Sequence, residues 1–138
     1  MYDEMGFSKV ILRNETILAG KGSFLIVKQF CFRQLFSYES YIKAIRKYLH
    51  LKSRIPVYIS RKLLLIPIKS PKRVDNVWIN FFSIQSVTGI LNKTYVLFDN
   101  LLELELDINI KSFNKSIDAC LKIISYLEKA KDFCVEET

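Results

Sequence analysis

With 138 residues, 50% of them apolar and 25% charged, the chain has room for one domain with a real core and lies well outside the disordered regime. The formal net charge of +7 is large for this length and unevenly spread: residues 1–74 hold 15 Lys and Arg against 4 Asp and Glu, whereas residues 75–138 hold 6 against 10. A charge split of this kind points to a polyanionic partner, and the longest apolar run, Leu63–Ile68, is far too short to span a bilayer.

Residues 7–30 predict a small antiparallel β element. Val10–Leu12, Thr16–Leu18 and Phe24–Val27 are β-favouring runs, separated by Asn14 and by Gly20-Lys21-Gly22. Residues 37–51 predict a helix. Tyr38, Tyr41, Ile42, Ile45, Tyr48 and Leu49 fall on one face, Ser37 suits the N-cap and Glu39 the first turn. The opposite face carries Lys43, Arg46, Lys47 and His50. Such a helix can contact a nucleic-acid backbone, lie on a membrane surface or simply be solvated. Its core-like aromatic and aliphatic spacing puts the membrane reading last.

From Ile55 the period changes. Ile55–Ser60, Leu63–Ile68, Val77–Phe82 and Ile84–Val87 predict strands, with Pro56 and Pro67 at edges or strand ends and Ser70-Pro71-Lys72-Arg73 as a turn. Lys93–Phe98 and Leu101–Leu106 predict a hairpin through Asp99-Asn100. In its second strand Leu102, Leu104 and Leu106 alternate with Glu103, Glu105 and Asp107, which makes one acidic, solvated face. Residues 113–131 predict a final helix capped by Ser112, with an apolar stripe of Phe113, Ile117, Cys120, Leu121, Ile124 and Leu127. The expected fold is therefore α+β: mainly antiparallel sheet with two amphipathic helices, 1–131 forming a single DNA-binding domain and 132–138 a flexible acidic tail.

No constellation points to catalysis. His50 is the only histidine, and its neighbours Lys47, Lys52 and Arg54 include no carboxylate to orient it, so a surface histidine at a helix C-terminus is the better reading. No phosphate-binding glycine loop and no nucleophile motif is present. Cys31, Cys120 and Cys134 have no CxxC spacing, so neither a zinc site nor any other cofactor is expected, and each reads as a small hydrophobe or plain thiol in a reducing cytoplasm. Met1–Lys9 has no signal-peptide pattern.

The sharpest signal is electrostatic. Between Ser40 and Val74 stand ten basic residues and no acidic one: Lys43, Arg46, Lys47, Lys52, Arg54, Arg61, Lys62, Lys69, Lys72 and Arg73. The turn Ser70–Arg73 would project cationic arms from a fixed kink, a shape that fits a narrow A·T-rich minor groove. Lys69, Lys72 and Arg73 are therefore the candidates for groove insertion, and Arg61, Lys62, Arg46 and Lys47 for backbone contacts. Trp78 could stack on a base, but beside Ile79 it reads as core.

Ile55-Pro56-Val57-Tyr58-Ile59, Leu65-Ile66-Pro67-Ile68-Lys69-Ser70 and Asn76-Val77-Trp78-Ile79-Asn80 together resemble the central signature of the ComK competence transcription factors. That signature reads approximately P-I-x-I, then F-F-P-T-x-S, then W-I and a polar residue. Ile84, Thr94–Phe98 with Asn100, Leu102–Leu106 and the helix from Phe113 continue it, so the resemblance covers roughly 54–127. Ile68 stands where the family usually has Thr, and the helix of residues 37–51 replaces a cysteine- and glycine-containing stretch, as in a short or divergent member. The resemblance implies a cytoplasmic activator that binds double-stranded, A·T-rich DNA from the minor-groove side. It also implies a homo-oligomer on DNA and regulation through a protease-adaptor protein. The strand-strand-helix order after Trp78 is similar, at the level of pattern, to LytTR-type DNA-binding domains. The alternative is a protein-interaction module that regulates another transcription factor or a protease adaptor without binding DNA itself.

Overall fold

The computed structural model describes residues 17–20 and 22–137, with side chains to residue 130. In chain order the elements are β1 (Ile17–Ala19), α1 (Ser23–Arg33), α2 (Tyr38–Leu49), β2 (Val57–Ser60), β3 (Leu63–Pro67), β4 (Val77–Asn80), β5 (Ile84–Ile90), β6 (Lys93–Phe98), β7 (Glu103–Leu106) and α3 (Ile110–Glu137), with a 3₁₀ turn at Phe81–Ser83. Two antiparallel sheets result, ordered β1-β4-β3-β2 and β5-β6-β7, so the α+β expectation holds.

The uninterrupted apolar run of β3 is explained by burial on both faces. Leu63 and Leu65 join Leu18, Val57 and Trp78 beneath α1, where Val27 and Cys31 close the layer. Leu64, Ile66 and Ile68 point the other way, against Val96, Phe98 and Leu106 of the second sheet and Phe113 and Cys120 of α3. Each such fully buried aliphatic contributes about 1.5–3 kcal/mol relative to exposure. Ile42 and Ile45 of α2 meet Ile55 and Ile123, which fixes α2 beside the edge strand β2 and against α3.

Trp78 is fully buried and stacks on Phe24 of α1, with ring centroids 6.4 Å apart and planes 3° from parallel. It is a core residue, as its neighbour Ile79 suggested. Cys31 and Cys120 are likewise buried small hydrophobes, and burial pushes the Cys31 thiol up to about 11 and raises Cys120 as well. The side chain of Cys134 lies outside the described residues.

Several boundaries differ from the pattern reading. Phe24–Val27 is not a strand but the first turn of α1, which makes three helices rather than two. Its composition is β-favouring, yet Ser23, Val27 and Cys31 recur at i, i+4 and i+8, so a helix buries them in one stripe on the sheet. Tertiary burial overrides local propensity here. Val10–Leu12, Asn14, Thr16 and Lys21 lie outside the described residues, and Ile17 and Leu18 do pair, with β4. Phe81 and Phe82 leave the strand for the 3₁₀ turn that carries the chain from one sheet to the other. Asn109, not Ser112, caps α3: its Oδ1 accepts from the Ser112 amide at 2.9 Å. The backbone of α3 runs on to Glu137, through the segment read as an acidic tail.

α2 matches its expected shape. Ser37 Oγ accepts from the Ser40 amide at 3.1 Å, Glu39 lies in the first turn, and His50 ends the helix in the left-handed region with φ 59°. His50 is exposed at that C-terminus.

Candidate nucleic-acid interface

The side chains Tyr38, Glu39, Ile42, Lys43 and Arg46 lie along one side of α2, at spacings of three and four residues. The β3–β4 turn faces them with Ser70, Pro71 and Lys72, and Phe24 and Lys28 of α1 close one end of an open groove of about 640 Å³. A second groove of about 410 Å³ continues it past Arg46 to Lys52, Ser53 and Arg54. Tyr38, Ile42, Arg46, Ser70 and Pro71 line both, so the two form one channel between α2, the turn and the α2–β2 loop.

Hydrogen bonds hold the channel walls. Tyr41 Oη donates to the Pro56 carbonyl at 2.7 Å and accepts from the Tyr58 amide at 3.1 Å, which ties α2 to β2. Burial raises the Tyr41 phenol well above its ordinary range, so it stays protonated and keeps its donor. On the opposite wall Asn76 Oδ1 accepts from the Lys69 and Val77 amides at 2.8 Å each, and the Arg73 amide donates to Ser70 O at 3.0 Å. The predicted turn is therefore present, and it is rigidly closed.

The carboxylate-free stretch is flanked by Glu39 and Asp75, and both acids are already engaged. Glu39 pairs with Lys28 at 2.9 Å, which lowers its carboxyl pKa. Asp75 takes Lys69 Nζ at 2.8 Å and the Arg73 guanidinium through Nε at 2.9 Å and Nη2 at 3.0 Å. The Arg73 and Lys69 hydrogen bonds hold its carboxyl far below the ordinary carboxylate range. Lys43, Arg46, Lys52, Arg54 and Lys72 form no ion pair among the described residues, and all five line the channel.

The seven sequence candidates thus separate. Lys72 and Arg46 face each other across the channel. Lys69 and Arg73 sit on the same turn but are bound to Asp75. Arg61 and Lys62 cap the β2–β3 hairpin, where Ser60 pairs with Leu63, at the end of β3 opposite the β3–β4 turn. Five strand residues separate those two ends, roughly 13–17 Å at the usual rise per residue. Arg61 lies instead beside Phe82 and Glu128. Lys47 turns toward Tyr48, its Nζ 5.5 Å from the ring, and Tyr48 stacks on Tyr126 of α3. Lys43, Lys52 and Arg54 were visible as members of the basic run, but their place in the channel depends on packing.

The acidic face of β7 is solvated, and Lys93 reaches Glu105 at 3.4 Å and Asp107 at 3.5 Å across the strands. No group of His, Cys, Asp and Glu suited to a metal occurs among the described residues. No helix among them is long and apolar enough to cross a membrane.

The family model described as "ComK protein" matches residues 1–132 of the chain. This chain belongs to the ComK family. The family is one of competence transcription factors, and the match extends through α1 and α2, well upstream of the motifs around Trp78. No curated protein and no solved structure matches it. The motif residues that carried the resemblance are chiefly structural: Ile66, Trp78 and Ile79 are fully buried, and Asn80 closes the sheet end by hydrogen bonds.

Proposed function

We propose that this ComK-family chain is a cytoplasmic DNA-binding transcriptional regulator that engages A·T-rich duplex through the channel beside α2. The observation that carries the reading is the convergence on one channel of five cations that form no ion pair among the described residues: Lys43, Arg46, Lys52, Arg54 and Lys72. Cations so placed release counterions when phosphates replace solvent, which makes affinity steeply salt-dependent. Lys72, raised on a proline turn, is the arm suited to a narrow minor groove, and the α2 cations suit the flanking phosphates.

The test is binding to A·T-rich and G·C-rich duplexes across a salt series. Preference for the A·T-rich duplex and a log–log slope near about −4.5, the value for five phosphate contacts, are expected. Equal affinity for both duplexes, or a flat salt response, would overturn the reading.

One observation favours a second reading, an interaction module acting without DNA. Leu25 and Phe32 stand seven residues apart on the outer face of α1, 60% and 74% exposed, and Leu35 after the helix is 93% exposed. Such an exposed apolar face fits a second copy of the chain packed α1 to α1. Size-exclusion chromatography with and without duplex separates the readings: a Phe32-dependent dimer that ignores every duplex favours the second.

A further inference from the structure

Lys69, Arg73 and Asp75 form a closed set on the β3–β4 turn. Arg73 presents its guanidinium fork to both carboxylate oxygens, and Lys69 adds a third contact to one of them. Two cations converging on one two-oxygen anion is the arrangement that binds a phosphodiester. Here the anion is part of the chain. It is also tethered only two residues from Arg73, on a turn closed by the Asn76 and Ser70 hydrogen bonds. A phosphate arriving from outside must compete with a carboxylate held at very high effective concentration.

We propose that Asp75 occupies a phosphodiester-binding site made by Lys69 and Arg73, and so withholds both cations from the DNA backbone. The proposal rests on the channel reading above and adds a device that limits affinity. Lys72, between the two withheld cations in sequence, is turned to the channel and remains available. Asp75→Asn removes the charge that holds the pair and opens the site on the turn that also carries the channel cation Lys72.

The experiment measures binding to an A·T-rich duplex over a salt series for the full chain, D75N and E103Q. Glu103, on the solvated face of the second sheet, controls for the unit change in net charge. D75N is expected to bind about tenfold tighter than the parent at moderate salt, with a slope steeper by about 1 to 2, while E103Q changes affinity by less than about twofold. Arg73→Gln then decides the assignment: it costs little in the parent and removes most of the gain in the D75N background. Equal effects of R73Q in both backgrounds, or a D75N slope equal to that of E103Q, would overturn the proposal.

Retention on immobilised heparin separates this failure from failure of the DNA reading. A chain that ignores all duplexes but whose D75N variant elutes later than E103Q supports the anion site and refutes the DNA reading. A parent that binds duplex while D75N matches E103Q in duplex affinity and in heparin retention does the reverse.

Discussion

Tyr41 Oη donates a hydrogen bond to the Pro56 carbonyl oxygen across the junction of α2 and β2, at 2.7 Å. Tyr41 Oη also accepts from the Tyr58 amide at 3.1 Å, so one side chain satisfies two backbone groups at the start of an edge strand. Tyr41→Phe leaves both without a partner. A loss of about 1–3 kcal/mol in urea unfolding is expected, with an unchanged m-value. Because this bond also sets the channel wall, duplex affinity should fall at temperatures where the variant is still fully folded.

Asn80 does similar work inside the sheet. Its Oδ1 accepts from the Leu64 amide at 3.0 Å and the Phe82 amide at 3.2 Å, and its Nδ2 donates to the Lys62 carbonyl at 2.8 Å. Asn80→Leu keeps the branched heavy-atom shape but leaves three backbone groups without their side-chain partner at a 2% exposed position. The expected cost is about 2–4 kcal/mol, visible as a shift in denaturant midpoint.

Gly89 lies where β5 passes α3. A Cβ added there would stand 2.5 Å from Ile110 Cβ, too close for either backbone to accept without shifting. Gly89→Ala should destabilise by about 1–3 kcal/mol. Ile110→Gly in the same chain should recover part of that loss, because it removes the Cβ at 2.5 Å together with the atoms beyond it at 3.0 and 3.1 Å. Additive losses in the double variant would show that the contact does not govern the position.

The channel predicts unequal effects of equal charge changes. Arg46→Gln and Lys72→Gln remove cations that face each other, whereas Arg61→Gln and Lys62→Gln act at the other end of β3. Each of the first pair should reduce the salt slope by about 1, and each of the second pair should leave it nearly unchanged. Anisotropy titrations at several salt concentrations decide the matter.

The buried thiols give a pH prediction. Cys31 is pushed up to about 11 in the folded chain, from 9.0 as its ordinary value. A raised thiol pKa means that the unfolded chain loses this proton first as pH rises. The contribution is therefore constant below pH 9 and declines between about 9 and 11. In a Cys134→Ser background, thiol reagents at pH 8 should label Cys31 and Cys120 only as fast as the chain opens, and denaturant should make both react at once.

Most of the fold was legible because its signals are local. The α2 stripe, its Ser37 cap, the strand runs from Val57 onward and the β6–β7 alternation all follow from periodicity and turn chemistry. Phe24–Val27 was not legible, since a β-favouring run that buries Val27 and Cys31 looks the same until the sheet beneath it is known. The family motifs were legible for a related reason. Trp78, Ile79 and Asn80 are constrained by the core and by the sheet end, and such constraints leave a readable order of residues.

The amino-acid sequence by itself determined that the first half of this chain is cationic, that Ser40–Val74 contains no carboxylate, and that the motifs around Trp78 are those of the ComK family. Only the tertiary structure decided which of those cations act together. Charge is a property of composition, but ion pairing depends on distances between elements. Asp75, one residue outside the carboxylate-free stretch, engages Lys69 and Arg73, and antiparallel pairing sends Arg61 and Lys62 to the far end of β3. Packing of α2 against the β3–β4 turn then sets Arg46 and Lys72 on one channel.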